Sequence, residues 1–86
     1  MWHPAHLDGR RLVVLRPRGG LLDRYDVVAA GRLSHDGEAL RLVESESSTV
    51  LISDADLGSV KPVTAANRIP ECRGFDFFLI RSTDLA

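Results

Sequence analysis

YDVVAAGRLSHDGEALRLVE, residues 25–44, is the stretch on which the fold turns. Its first half alternates with period two. Tyr25, Val27, Ala29, Gly31 and Leu33 share one face, and Asp26, Val28, Ala30, Arg32 and Ser34 share the other. That is the period of a strand and not of a helix. Asp36-Gly37 follows, a dipeptide suited to a type I′ turn, whose two central residues both need positive φ. ALRLVE then continues as the partner strand. Pairing about Asp36-Gly37 predicts Leu33 opposite Leu40, Gly31 opposite Leu42 and Arg32 opposite Arg41. Like charges directly opposite repel by roughly a few tenths of a kcal/mol. Arg32 and Arg41 therefore need solvent, a nearby carboxylate or an anionic partner, which makes them candidate contact residues.

Upstream of the hairpin, RLVVLR at 11–16 is a short β-branched run closed by Pro17, long enough for a strand and too short for a helix. It is apolar on both faces, with Leu12 and Val14 on one and Val13 and Leu15 on the other. PRGGLLDR reads as a loop that returns Leu21 and Leu22 to the core. The first nine residues, with Pro4 and two histidines and no periodicity, read as a flexible arm. Downstream, SESS is a polar turn and TVLIS a short strand. Ser53 is placed to cap a helix of one or two turns, with Asp54 and Asp56 in the first turn and Gly58 at its end. VKPVT reads as an edge segment because Pro62 cannot donate to a ladder. AANRIPECRG is a long connection, and FDFFLIRS a final strand.

Five short strands with one brief helical turn before the last predict an all-β domain. The order of elements resembles a small antiparallel five-stranded barrel of the SH3-like or Sm-like kind. The rival reading, an α+β fold with a helix over 53–66, is opposed by Pro62. The 86 residues suffice for a single core, and 44% hydrophobic with 27% charged residues is ordinary globular composition.

Net charge is −1, so bulk charge points to neither nucleic acid nor membrane. Its distribution is uneven: residues 1–32 are basic on balance, whereas residues 33–60 carry Asp36, Glu38, Glu44, Glu46, Asp54 and Asp56 against Arg41 alone. Glu44, Glu46 and Asp56 are accordingly candidates for an acidic face toward a basic partner. The start lacks a signal pattern and no apolar run approaches a membrane span, which leads to the expectation of a cytoplasmic protein with no membrane partner.

Catalytic patterns are lacking. Cys72, the single cysteine, has no His joined to it by a motif, and free cysteine is among the most buried residue types. His3, His6 and Asp8 form an H-x-x-H-x-D cluster without an evident fourth ligand, so no metal is expected. PRGGLL lacks the spacing and the lysine of a phosphate loop. Neither an enzyme nor a cofactor is expected.

The last strand carries the partner question. Phe75, Phe77 and Leu79 point one way, and Asp76, Phe78 and Ile80 the other. A half-solvated strand should be polar on one face, and Phe78 and Ile80 break that rule. Cover by the arm or by the connection at 65–74 is the preferred explanation; a second copy of the chain or another protein is the alternative. The expectation is a non-catalytic binding or assembly module with a protein partner, its candidate contacts being Phe78, Ile80, Arg32, Arg41, Glu44, Glu46 and Asp56. A nucleic-acid-binding barrel is the runner-up, using Arg10, Arg11, Arg16, Arg18, Arg32, Arg41 and Arg81 with Tyr25 and the phenylalanines.

Overall fold

The computed structural model describes residues 3–18, 24–65 and 69–81. Among them, six strands form one mixed sheet in the order β4-β3-β2-β1-β6-β5. These are β1 Arg11–Pro17, β2 Tyr25–His35, β3 Leu40–Ser45, β4 Ser48–Ile52, β5 Lys61–Pro62 and β6 Phe77–Ile80. Two short helices, α1 Pro4–Leu7 and α2 Asp54–Gly58, and 3₁₀ turns at Val63–Ala65 and Pro70–Cys72 complete the order. No helix among the described residues is long and apolar enough to cross a membrane. The fate of Leu21 and Leu22 lies outside the described residues.

The expected mostly-sheet fold is present, but the expected closed antiparallel barrel is not. The sheet has six strands, β4 and β5 are its two unjoined edges, and β6 runs parallel to β1 with Leu12 beside Phe77 and Leu15 beside Ile80. The reason lies in the two-sided apolar pattern of the first and last strands. Strands of that kind belong between two covering layers, the usual setting of a parallel pair. A third strand beside β6 is supplied by Lys61 and Pro62, the short edge that Pro62 predicted.

The hairpin forms, with its register displaced by two residues. Leu33 pairs with Leu42, Ser34 with Arg41 and Arg32 with Val43, so Arg32 and Arg41 are not opposite each other. The cause is Asp36, which stands at the start of a four-residue loop and not in its middle. Its Oδ1 accepts from the backbone N–H groups of Glu38 and Ala39, both at 3.0 Å, and its Oδ2 accepts from Arg41 Nη1 at 2.6 Å. Gly37 supplies a positive φ, at +97°. Because the displacement is even, the paired residues Arg32–His35 and Leu40–Val43 keep their expected faces.

Those three bonds hold the Asp36 carboxyl well below the ordinary carboxylate range, the backbone donors contributing most. A depressed pKa in the folded state gives stability that is present above the unfolded value of about 3.9 and lost as pH falls below it. Thermal melts from pH 6 down to pH 2 are therefore expected to fall less steeply for Asp36→Asn than for the wild type. Parallel curves would show that the turn carboxylate contributes nothing to acid sensitivity.

One irregularity redistributes β2. Val14 pairs with Ala29 but Leu15 pairs with Val27, leaving Val28 as the extra residue of a β-bulge. The bulge moves Tyr25 and Val27 away from the face of Ala29 and Leu33, correcting the uniform alternation expected for this strand.

Two apolar layers result. On the first face, Leu12, Val14, Ala29, Leu33, Leu40, Leu42, Ile52 and Leu79 pack under Leu7, Leu57 and Val60. On the second, Val13, Leu15 and Phe78 pack under Cys72, with Ile69, Val63, Phe75, Ala30 and Tyr25 around them. Phe75 precedes β6 and joins the second layer, not the face of Phe77 as the strand pattern predicted. Within the segment read as a flexible arm, the described part forms α1 and packs on the sheet through Leu7, which is 0% exposed. His3 Nδ1 accepts from Ala5 N at 3.2 Å to cap α1, and Asp8 Oδ1 accepts from His35 N at 2.9 Å.

Candidate functional site

The second sheet face is covered unevenly, and that unevenness defines the site. Over β1 and β6 the chain's own connection lies on the sheet, placing Ile69, Cys72 and Phe75 against Val13, Leu15 and Phe78. Over β3, β4 and the Arg32–Ser34 part of β2 the same face is open. Alternation places Arg32 and Ser34 of β2, Arg41 and Val43 of β3, and Thr49 and Leu51 of β4 there. Leu51, directly opposite Arg41, is 60% exposed, the largest exposure among the big apolar side chains of the described residues. Beyond it β4 pairs with no further strand among the described residues.

The two edges of the sheet are built differently. β5 is two residues long and consists of Lys61 and Pro62, a charge and a missing donor that both deter strand addition. β4 is five residues long and reads Ser-Thr-Val-Leu-Ile, with no charge and no proline. The bulge in the β3–β4 ladder falls between Val43 and Ser45, so it does not bend β4 itself.

Arginines enter the open face from its inner side. Arg11 and Arg32 are directly opposite on β1 and β2. Each is tied by one N–H to a backbone carbonyl, Arg11 Nη1 to Gly74 O at 3.2 Å and Arg32 Nη1 to Gly9 O at 2.8 Å. Neither has a carboxylate within ion-pair distance among the described residues, whose ion pairs are Arg16 and Arg18 with Asp26, Arg41 with Asp36, and Arg81 with Asp56. With Ala30, Gly31, Val43, Glu44 and Phe75 they line a depression of about 320 Å³.

The candidates chosen from the sequence divide accordingly. Phe78 is 5% exposed and enclosed by the chain's own connection, so as a partner contact it is corrected to a core residue. Ile80 remains 37% exposed beside Lys61 and Gly58. Arg32, Arg41 and Glu44 are brought to one region, with Arg41 held by Asp36 and the Glu44 carboxylate accepting from Ser48 Oγ at 3.2 Å. Glu44 and Glu46 sit at the turn end of β3 and β4, whereas Asp56 lies beyond the other end of β4, roughly 13 Å of strand away. Asp56 is also engaged by Arg81 at 2.5 Å. The three acids do not make one patch.

Cys72 is 1% exposed, and burial pushes its thiol up, with Glu71 adding to the effect. It fills the layer that covers Phe78 and is unsuited to nucleophilic chemistry. No group of three or more metal-binding side chains occurs among the described residues. His3 and Asp8 are already used in capping and in holding β2.

Leu51 and the β4 edge are what the sequence reading missed. The signal was present in TVLIS: Val50 and Ile52 alternate toward the core, which leaves Leu51 outward where a polar residue belongs. The fold and the open face together define a small, mostly-sheet protein with one layered core and one unguarded edge. No protein-family model, no curated protein and no solved structure matches the chain.

Proposed function

We propose that the chain is a non-catalytic protein-binding module whose contact surface is the open half of the second sheet face, from Arg32 and Val43 out to Leu51. The observation that carries this reading is the uneven cover: the chain buries one half of the face with its own residues and leaves exposed leucine at the other. The reach of the surface toward Ile80 on the far side of the connection is secondary.

An interface of this kind combines aliphatic area with arginine, residues that protein surfaces recognise through burial and bidentate hydrogen bonding. The nucleic-acid reading has Arg11 and Arg32 in its favour. Against it, the exposed large apolar side chains among the described residues are Val27, Val28, Leu51 and Ile80, none of them aromatic, whereas single strands are held by stacking on exposed rings.

The test is comparative capture from the native cell extract. Wild-type protein, Leu51→Lys and Ile80→Lys are immobilised side by side and the bound proteins quantified by mass spectrometry. A partner retained by wild type and by Ile80→Lys but reduced at least fivefold by Leu51→Lys is expected. Loss with Ile80→Lys alone would move the surface to β6, and retention of every protein by all three would sink the proposal.

A further inference from the structure

The geometry points to β4 as a docking edge: we propose that an extended segment of a partner protein adds to it as a seventh strand, with aliphatic residues in its middle and Lys or Arg at its ends. This rests on the reading of the chain as a protein-binding module and names what that partner must offer.

The backbone supplies the first argument. The outer side of an edge strand presents a row of N–H and C=O groups to any extended chain, and natural sheets block such rows with charge, proline, bulges or short length. Lys61 and Pro62 block the β5 edge in this way, while Ser48–Ile52 carries none of these devices. Strand addition derives its affinity from this ladder and its specificity from alternate side chains. On β4 those are Thr49 and Leu51 on the open face and the half-buried Val50 on the other.

Charge chooses the occupant. The centre of β4 is uncharged, and both of its ends are acidic. Glu44 and Glu46 flank the turn into Ser48, and Glu38 and Asp54 flank the exit from Ile52. At that exit Glu38 and Asp54 border a depression of about 280 Å³, with Leu40, Leu51, Ile52 and Leu57 as its apolar walls. Neither acid has an ion-pair partner among the described residues. Apolar walls with carboxylates at the rim suit a long aliphatic stem ending in a cation, which is how Lys and Arg side chains bury themselves.

The same charges oppose a second copy of this chain. A two-fold axis would pair β4 antiparallel with itself, setting the Glu44–Glu46 end of one copy beside the Asp54 end of the other. Acid would then face acid at both ends of the added ladder, a like-charge arrangement that disfavours the wrong partner.

The experiment uses the full chain, ¹⁵N-labelled, and synthetic nine-residue peptides blocked at both termini. One peptide alternates Val and Thr between terminal lysines; a second replaces both lysines with Glu; a third is the lysine peptide with alternate backbone nitrogens methylated on its pairing side. The lysine peptide is expected to shift and protect amides within Ser48–Ile52 and to shift those of Glu38 and Asp54. The Glu peptide should bind at least tenfold more weakly, and the methylated peptide should not bind at a measurable level. Leu51→Lys, a change at an exposed site that leaves the core intact, should weaken the lysine peptide at least tenfold.

Equal binding of all three peptides overturns the proposal, as does a response confined to Arg11 and Arg32, which would mark an anion-binding face. Protection of β4 that rises with protein concentration and needs no peptide also overturns it, in favour of a second copy. If the peptides fail while a partner from the extract still depends on Leu51, strand addition is wrong and the protein-binding module stands. If that dependence fails as well, both readings fall.

Discussion

Phe78→Asp is expected to yield an unfolded chain, not a folded monomer released from a dimer. Phe78 lies on the second face of the central strands against Val13, Leu15 and Cys72. Truncating a buried phenylalanine costs about 3–5 kcal/mol through lost transfer and the cavity left behind. A carboxylate in that layer adds a desolvation cost of several kcal/mol more. A domain of this size has roughly 4–13 kcal/mol in total, so the sum is of the same size as the whole of it. Circular dichroism at 25 °C should show loss of sheet, and Phe78→Leu, which keeps most of the volume, should remain folded. A folded Phe78→Asp protein of reduced solution mass would return the residue to an interface.

The second large effect is expected at Gly31. A Cβ built there would lie 2.1 Å from the carbonyl oxygen of Val43 and 2.8 Å from its carbonyl carbon, far inside contact distance. Both are backbone atoms of the neighbouring strand, so no side chain can swing aside. Gly31→Ala must push β3 away from β2 beside the β3 irregularity, at a cost of about 3 kcal/mol, the upper end for overpacking. For a domain of this length that is a fall of about 12–24 °C in Tm. Gly58→Ala, where an added Cβ meets nothing within 4 Å, is the control. A Gly31→Ala melt within about 3 °C of wild type would mean that the two strands separate freely there.

What the sequence made legible, and what it hid, follows from the range of each interaction. Local signals were readable. Asp36-Gly37 marked the hairpin, Ser53 marked the α2 cap, whose Oγ accepts from Asp56 N at 3.1 Å, and Pro62 marked an edge. The two-sided apolar runs at 11–16 and 77–80 announced that something covers both faces: Leu7, Leu57 and Val60 cover the first, and Ile69, Cys72 and Phe75 of the connection cover the second. Long-range partnership was not readable, because FFLI carries the same pattern whether it runs parallel or antiparallel to its neighbour. Nor was the bulge, since Val27 and Val28 are both apolar and nothing in YDVVAA shows where the alternation breaks. The docked first helix had a faint local mark, Pro4 at its first position, outweighed by the absence of periodicity in so short a segment.

The same limits applied to the site. Arg32 and Arg41 were chosen for a repulsion that the true register removes, yet alternation alone put them on the face that is open. Leu51 was hidden because exposure depends on what the rest of the chain fails to cover, a property of the sheet order and not of any five residues.

The placement of β6 between β1 and β5 governs how the chain must assemble. β1 cannot satisfy both of its sides until residues some 65 positions away arrive, as the bond from Arg11 N to Asp76 Oδ2 at 3.0 Å illustrates. The meander of β1 to β4 is local and can close early, whereas the β1–β6 pairing has to wait for loop closure across most of the chain. Until then Arg11–Pro17, apolar on both faces, is itself an exposed edge. The hazard of misassembly thus sits on a strand that is flanked on both sides, with its centre Leu12–Leu15 buried, in the finished molecule.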